Sequence, residues 1–339
     1  MNIATGRPTF HFLHLLLPHQ PWKWLPSGLE YNGATIGKDN RPSWFADQWP
    51  VTVSHQRLLL QTAYLDRLLG GFIERLEDSG LWDDAVIAVT ADHGIAFRAG
   101  DFARRASDAQ AGDAMWVPFF LRAPGLPAGA VDDRNVEMVD LAPTIGDLLD
   151  VRLEWDVDGR STLGEPRTQT TKSFAHHPGR PEVVDGATWF PRVLEGAVDR
   201  LLAPGDGLER LYRLLPHGDL VGTPVTSFAV TRSTGAAAHI DQAGAITSLG
   251  EGADGLPALA TGRLLSRGAG GPPTWPNGKQ PSVAFALNGT IAAVSEVYGD
   301  GRVAAMLDET AFREGENRFE VFLLRRLRDR ATLEPVELR

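Results

Sequence analysis

Thr90-Ala91-Asp92-His93-Gly94 closes the apolar, β-branched run Ala85–Asp92 and sets a carboxylate beside an imidazole where a strand should end. Together they are a ligand pair for a divalent cation. An imidazole nitrogen suits zinc or manganese, whereas calcium favours a shell of oxygens. Neighbouring residues of a regular strand point to opposite faces, so both reach one ion only if the chain turns there. Gly94 eases such a turn. A carboxylate and a histidine in an ordinary strand-to-loop turn are the plain alternative. A second set lies near the start, where FHFLHLLLPHQPW carries His11, His14 and His19. A charged imidazole can hold an oxyanion, and near neutral pH it can protonate a leaving group. His11 suits a satisfied core position, while His14, and more so His19 on the loop after Pro18, are candidates for chemistry.

Positioning these groups takes a sheet. Phe10–Leu17 is almost unbroken apolar sequence, as in a strand covered on both faces. If it lies parallel to Val86–Ala91, then His14, His19, Asp92 and His93 emerge at one rim, beyond the carboxyl ends of the strands, where open α/β sheets bind ligands. The loop between carries Trp22, Trp24, Trp44 and Trp49, which either line a cleft or cover the sheet edge. Next comes a helix from roughly Ser54 to Ser79, with Leu58, Thr62, Leu65, Leu69, Phe72 and Leu76 as its buried stripe. Gly80 stands where a left-handed residue ends a helix. VPFFLRAPG (Val117–Gly125) is another strand, and Asp140 can cap a following helix that tolerates Pro143 in its first turn. Strands alternating with helices predict an α/β fold on a parallel sheet with right-handed crossovers and helices on both faces.

The texture changes from about residue 170. Helical periodicity fades, and glycine and proline punctuate short strand-like runs. In SVAFALNGTIAAVSEVY, Asn288-Gly289 is a favoured two-residue hairpin turn between apolar arms. NRFEVFLLRRL reads as a further strand. The expected division is therefore residues 1–165 as the chemistry-bearing domain and 166–339 as a mainly β accessory domain.

Composition limits the function classes. A formal charge of −10 argues against broad binding to nucleic acid, although local basic groups can hold a small anion. The absence of cysteine removes disulfides and thiolate metal sites. The Phe10–Leu17 run contains histidines, stops at Pro18 and lacks a small-residue cleavage site, so it is not read as a secretion signal. His176-His177-Pro178-Gly179 lies in a linker and reads as structural loop. Asn288-Gly289-Thr290 matches a glycosylation pattern that the hairpin turn already explains.

LHLLLPHQPWKWLPSG, YLDRLLGGFIERLEDSGLWDDAVIAVTADHG, VPFFLRAPG and VDLAPTIGDLL together resemble, in this order, the later half of sulfatase-like enzymes of the alkaline phosphatase superfamily. The resemblance covers about residues 10 to 165. It implies a metal-dependent hydrolase or transferase acting on sulfate or phosphate esters, with a lipid or cell-wall glycan as the kind of molecule that carries them. It makes Asp92 and His93 metal ligands and sets His14 and His19 against the sulfuryl or phosphoryl group. The spacing of those two histidines is similar to that of phosphoethanolamine transferases. Arg104 and Arg105 are anion-contact candidates, against the reading of a solvated loop. Many relatives are envelope proteins with membrane helices ahead of the catalytic part, which implies an extracytoplasmic site in a membrane-anchored parent.

The departure from the family pattern matters as much. Relatives begin with a strand that carries an acidic ligand, followed by a Ser, Thr or Cys nucleophile at a helix start. MNIATGRPT, ahead of Phe10, does not resemble that motif, and neither Thr5 nor Thr9 has its surroundings. A catalytic zinc site usually takes three protein ligands and an open position. The expectation is a fragment whose remaining ligands and nucleophile come from an upstream segment or a second chain, with little turnover alone. The competing expectation is a degenerate, non-catalytic relative that binds glycan or polyanion.

Overall fold

The computed structural model describes residues 8–32, 36, 43–104, 111–168, 171–174, 182–185, 207–233, 235–266, 281–327 and 330–339. In the front part, a two-residue strand β1 (Glu30–Tyr31) precedes the long helix α1 (Gln48–Asp78), followed by β2 (Ile87–Thr90), α2 (Ala111–Met115), β3 (Phe119–Arg122) and α3 (Leu141–Leu148). Pro50 sits in the first turn of α1, where its missing N–H is harmless. The helix stops at Ser79, and Gly80 has φ +69°, the left-handed conformation that ends helices cheaply.

The buried face of α1 differs from the expected stripe. Trp49, Val53, Gln56, Arg57, Leu60 and Gln61 are buried, whereas Leu65, Leu69 and Phe72 are half-covered and Thr62 is exposed. The reason is the partner. The first turns of α1 pack on the C-terminal sheet, and Trp49, Val53 and Leu60 share one cluster with Leu25, Tyr31, Tyr212, Leu256, Tyr298 and Met306.

That sheet is built from β4 (Ala236–Ile240), β6 (Leu259–Ser266), β7 (Ser282–Leu287), β8 (Thr290–Glu296), β9 (Arg302–Met306), β10 (Phe319–Leu327) and β11 (Arg330–Leu338), with β5 (Gly255–Leu256) just ahead of β6. Its order is β8-β7-β10-β11-β4-β6-β9. The two ends of that order approach each other: Ala304 N–H donates to Ser295 Oγ at 3.0 Å and Asp308 N–H to Ala292 O at 3.0 Å. β7 is buried on both faces, with Val283, Phe285 and Leu287 in one cluster and Ala284 and Ala286 in another. Asn288 (φ +53°) and Gly289 (φ +83°) make the hairpin between β7 and β8, both left-handed as its two-residue turn requires. β1 pairs in parallel with β5, so the loop before α1 is stitched to the C-terminal part.

Around the expected chemistry the strands differ from expectation. β2 and β3 pair antiparallel, with Thr90 opposite Phe119 and Ile87 opposite Arg122. Phe10–Leu17 is not a strand; it has no strand partner among the described residues, and Phe10, Phe12, Leu13, Leu15 and Leu16 are exposed. A strand apolar on both faces forms only between two covering layers, and no described residues supply them. Asp140 also differs. It precedes α3 but turns its carboxylate away from that helix, accepting from the backbone N–H groups of Glu137 (2.8 Å) and Arg160 (2.9 Å) and from the Arg167 guanidinium. No helix among the described residues is long and apolar enough to cross a membrane.

Candidate metal and anion site

β2 lets go of the chain at Thr90, whose hydroxyl donates to Pro118 O at 2.8 Å. The next residues turn. Asp92 Oδ1 accepts from the His93 backbone N–H at 2.9 Å, which swings the two side chains toward each other. Gly94 serves by clearance more than by flexibility: a Cβ there would lie 2.2 Å from Asp113 O. Its N–H donates to Ala114 O at 2.6 Å, so α2 presses directly on the turn.

His93 Nδ1 lies 2.9 Å from Gly94 O. A carbonyl only accepts, so Nδ1 carries a proton, and in the neutral ring Nε2 is left with its lone pair. That Nε2 stands 3.6 Å from Asp92 Oδ2. Two donors about 2.1 Å from a tetrahedral cation sit about 3.4 Å apart. The pair therefore fits two positions on one ion, with a backbone acceptor setting the imidazole tautomer as in known metal sites. Asp92 is 87% exposed and His93 34%, so the position opens to solvent. Among the described residues no third His, Asp or Glu joins them.

His19 has the same electronic arrangement. Its Nδ1 is 2.6 Å from Gln20 O, which fixes the proton there, and its Nε2 accepts from Arg104 Nη2 at 2.7 Å. The elements behind it are specific. Trp22, Trp44 and Phe97 pack together, with Trp22 and Trp44 stacked at 6.3 Å and Trp44 and Phe97 at 5.0 Å. Trp44 Nε1 donates to Ala96 O at 2.7 Å, and its backbone N–H to Asp101 O at 2.9 Å. The tryptophan loop thus grips the segment after His93 and carries Arg104 to His19. Trp22, Trp44 and Trp49 are buried core, while Trp24 lies half-exposed against Tyr64 at 5.3 Å.

The candidates thus fall into three groups. Asp92 and His93 converge, and His19 and Arg104 are bonded to each other. His14 stands exposed in the unpaired front segment and makes no hydrogen bond or ion pair among the described residues. The strand expected to carry His14 to a shared rim does not form. Arg105, Thr5, His176 and His177 lie outside the described residues. Sequence reasoning missed Arg57 and Gln61, two buried polar residues on α1 that reach this loop. The available signal was their four-residue spacing amid the apolar positions Leu58, Leu60 and Leu65.

Residues 2–151 match the family model described as Sulfatase. A protein named Sulfatase from Formosa agariphila is 28% identical over 123 residues, a stretch covering 36% of this chain and 24% of that protein. The chain thus spans about a quarter of the relative's length. No solved structure matches. Residues 2–151 carry the Asp92–His93 turn, the His19 loop and the helix behind them, and it is that segment which is similar to the Sulfatase family.

Proposed function

We propose that this chain supplies the later part of a metal-dependent site for hydrolysis or transfer at sulfate or phosphate esters. The observation that carries the reading is the 3.6 Å approach of His93 Nε2 to Asp92 Oδ2, with Nδ1 occupied by a carbonyl. One carboxylate oxygen and one imidazole nitrogen suit zinc or manganese better than calcium. When bound, the cation would neutralise charge on the transferred group and lower the pKa of a nucleophile.

This chain's own residues have definable parts in that reaction. Asp92 and His93 hold two cation positions. Arg104 is the fork of donors that suits a tetrahedral oxyanion, bonded now to a nitrogen that an anion oxygen can replace. His19 accepts a proton at Nε2 and, once charged there, returns it to a departing ester oxygen. The third ligand and the nucleophile are assigned to an upstream segment or a second chain, since two donors do not complete a catalytic site. The exposed Phe10–Leu16 run and exposed Phe120 on β3 suit burial by that missing part. In the proposed setting the parent is anchored in the cell envelope, its site extracytoplasmic, with an ester on a lipid or cell-wall glycan as substrate. The competing reading, a non-catalytic relative that binds polyanion, draws support from the two-donor count among the described residues.

Imidazole-nitrogen NMR of the chain with zinc or manganese added tests the cation reading. The expected result is a shift at His93 Nε2 that Asp92→Ala abolishes; no metal-dependent change at His93 overturns it. Aryl sulfate and aryl phosphate assays test the fragment reading. Robust metal-dependent hydrolysis by this chain alone, lost in Asp92→Ala, contradicts the need for another segment.

A further inference from the structure

Gln61 is fully buried on α1, yet each of its polar atoms is spent on one loop. Its Nε2 donates to His19 O at 3.0 Å, and its Oε1 accepts from Lys23 N–H at 2.9 Å and Trp24 N–H at 3.3 Å. Arg57, one helical turn earlier and also buried, donates to Trp22 O at 2.8 Å and to the Tyr31 hydroxyl at 2.9 Å. An amide sunk in an interior is costly unless every bond is made. A leucine would pack α1 against the loop without that demand. Here the demand is met, at the carbonyl of the residue whose ring reaches Arg104 and at the backbone that follows it.

We propose that Gln61, backed by Arg57, is a positioning residue that fixes the His19 imidazole through the backbone of its loop. The proposal rests on the reading of His19 as the residue that faces the anion. The consequence is geometric. With the His19 carbonyl tied to α1, Nδ1 tied to Gln20 O and Nε2 facing Arg104, the ring has one orientation and one tautomer. Its lone pair is delivered to the same spot each time, with little reordering left for the moment an anion arrives. Tyr31, held by Arg57, pairs with Leu256 across β1 and β5, so the C-terminal part buttresses the same loop.

The test uses the full chain with nitrogen-labelled histidine. In the wild type, His19 should show one protonated and one bare ring nitrogen. Gln61→Leu removes all three bonds. Gln61→Glu keeps an acceptor for Lys23 and Trp24 but turns an oxygen toward the His19 carbonyl. In both variants the His19 tautomer preference, about tenfold from a single good hydrogen bond, should fall toward unity. His93 and the amide signals of the C-terminal strands should stay unchanged. An unaltered His19 pattern in the variants overturns the proposal. So does fast amide-proton exchange at Lys23 and Trp24 in the wild type, a measurement that stands even if a variant fails to fold. Inorganic sulfate and zinc are then titrated into the same samples. If neither perturbs Arg104 or His93 while the Gln61 effect remains, the site reading fails and the tether survives.

Discussion

Trp49 offers the sharpest test of how the two parts of the chain are joined. It is 5% exposed in the cluster that α1 shares with the C-terminal sheet, and its Nε1 donates to Ala304 O at 2.8 Å. Ala304 lies on β9, the last strand in the sheet order, so among the described residues its outward N–H and C=O have no backbone ladder partner. Ser295 Oγ takes the N–H and Trp49 supplies the donor for the C=O. Trp49→Phe keeps most of the apolar contact and strands that buried carbonyl, a loss of about 1–3 kcal/mol. Trp49→Ala also opens a cavity, which raises the loss to about 3–5 kcal/mol. Guanidinium unfolding followed by far-ultraviolet dichroism, for the whole chain, and by amide exchange at Ala304 to Met306, for β9, gives both numbers. The reasoning requires the two probes to shift together. If β9 protection survives Trp49→Phe while α1 melts earlier, or if Trp49→Phe costs under about 0.5 kcal/mol, the shared core is wrong.

Further expectations are narrower. In Gly94→Ala the new Cβ meets Asp113 O at 2.2 Å, against an ordinary limit near 3.4 Å, so α2 must retreat by about 1.2 Å (3.4 − 2.2). With the Gly94–Ala114 bond lost as well, stability should drop by about 2–4 kcal/mol, and any zinc-induced shift at His93 should weaken with it; equal stability to wild type refutes the clearance argument. Burial acts to raise the Asp140 carboxyl, but hydrogen bonds from Arg160 N–H, Glu137 N–H and Arg167 outweigh it and hold the group below its ordinary value. Its contribution is therefore full above the unfolded carboxylate pKa and fades as pH falls through the lower folded one. Asp140→Asn should cost about 3 kcal/mol near neutrality and progressively less in acid, read from denaturant midpoints across pH. Glu309 has the opposite sign: burial, with Asp308 nearby, pushes it up despite bonds from Ser27. The folded state favours its protonated form, an advantage lost as pH rises through the raised folded value, so Glu309→Gln should flatten stability between weakly acidic and neutral pH. A slope matching wild type rejects that assignment.

What the sequence disclosed follows from how local each signal is. The end of α1 and the β7–β8 hairpin rest on single glycine and asparagine conformations, and both stand where Gly80 and Asn288-Gly289 put them. The Asp92–His93 turn was legible because a strand, two donors and a glycine follow within a few residues. Phe10–Leu17 was misread because an apolar run reports only that cover is needed, and cover is a property of distant chain. The buried stripe of α1 slid toward Trp49 because its partner, the C-terminal sheet, gives no sign in the helix period. Asp140 looked like a helix cap, since a cap needs only its neighbours, whereas the Arg167 contact depends on a loop that folds back from further along. Gln61 shows in the sequence only as a polar residue four positions after Arg57 amid apolar ones; what it bonds lies in backbone atoms of another segment.

The seam between α1 and the curled sheet bears on anyone seeking a smaller version of this molecule. Trimming the tail at residue 165 would strip Tyr212, Leu256, Tyr298 and Met306 from around Trp49, Val53 and Leu60, turning their cover into a wet, sticky flank. Tyr31 would lose its strand neighbour and the Arg57 anchor would loosen. The tail is thus a splint for the histidine loop, and a minimal working piece must keep it.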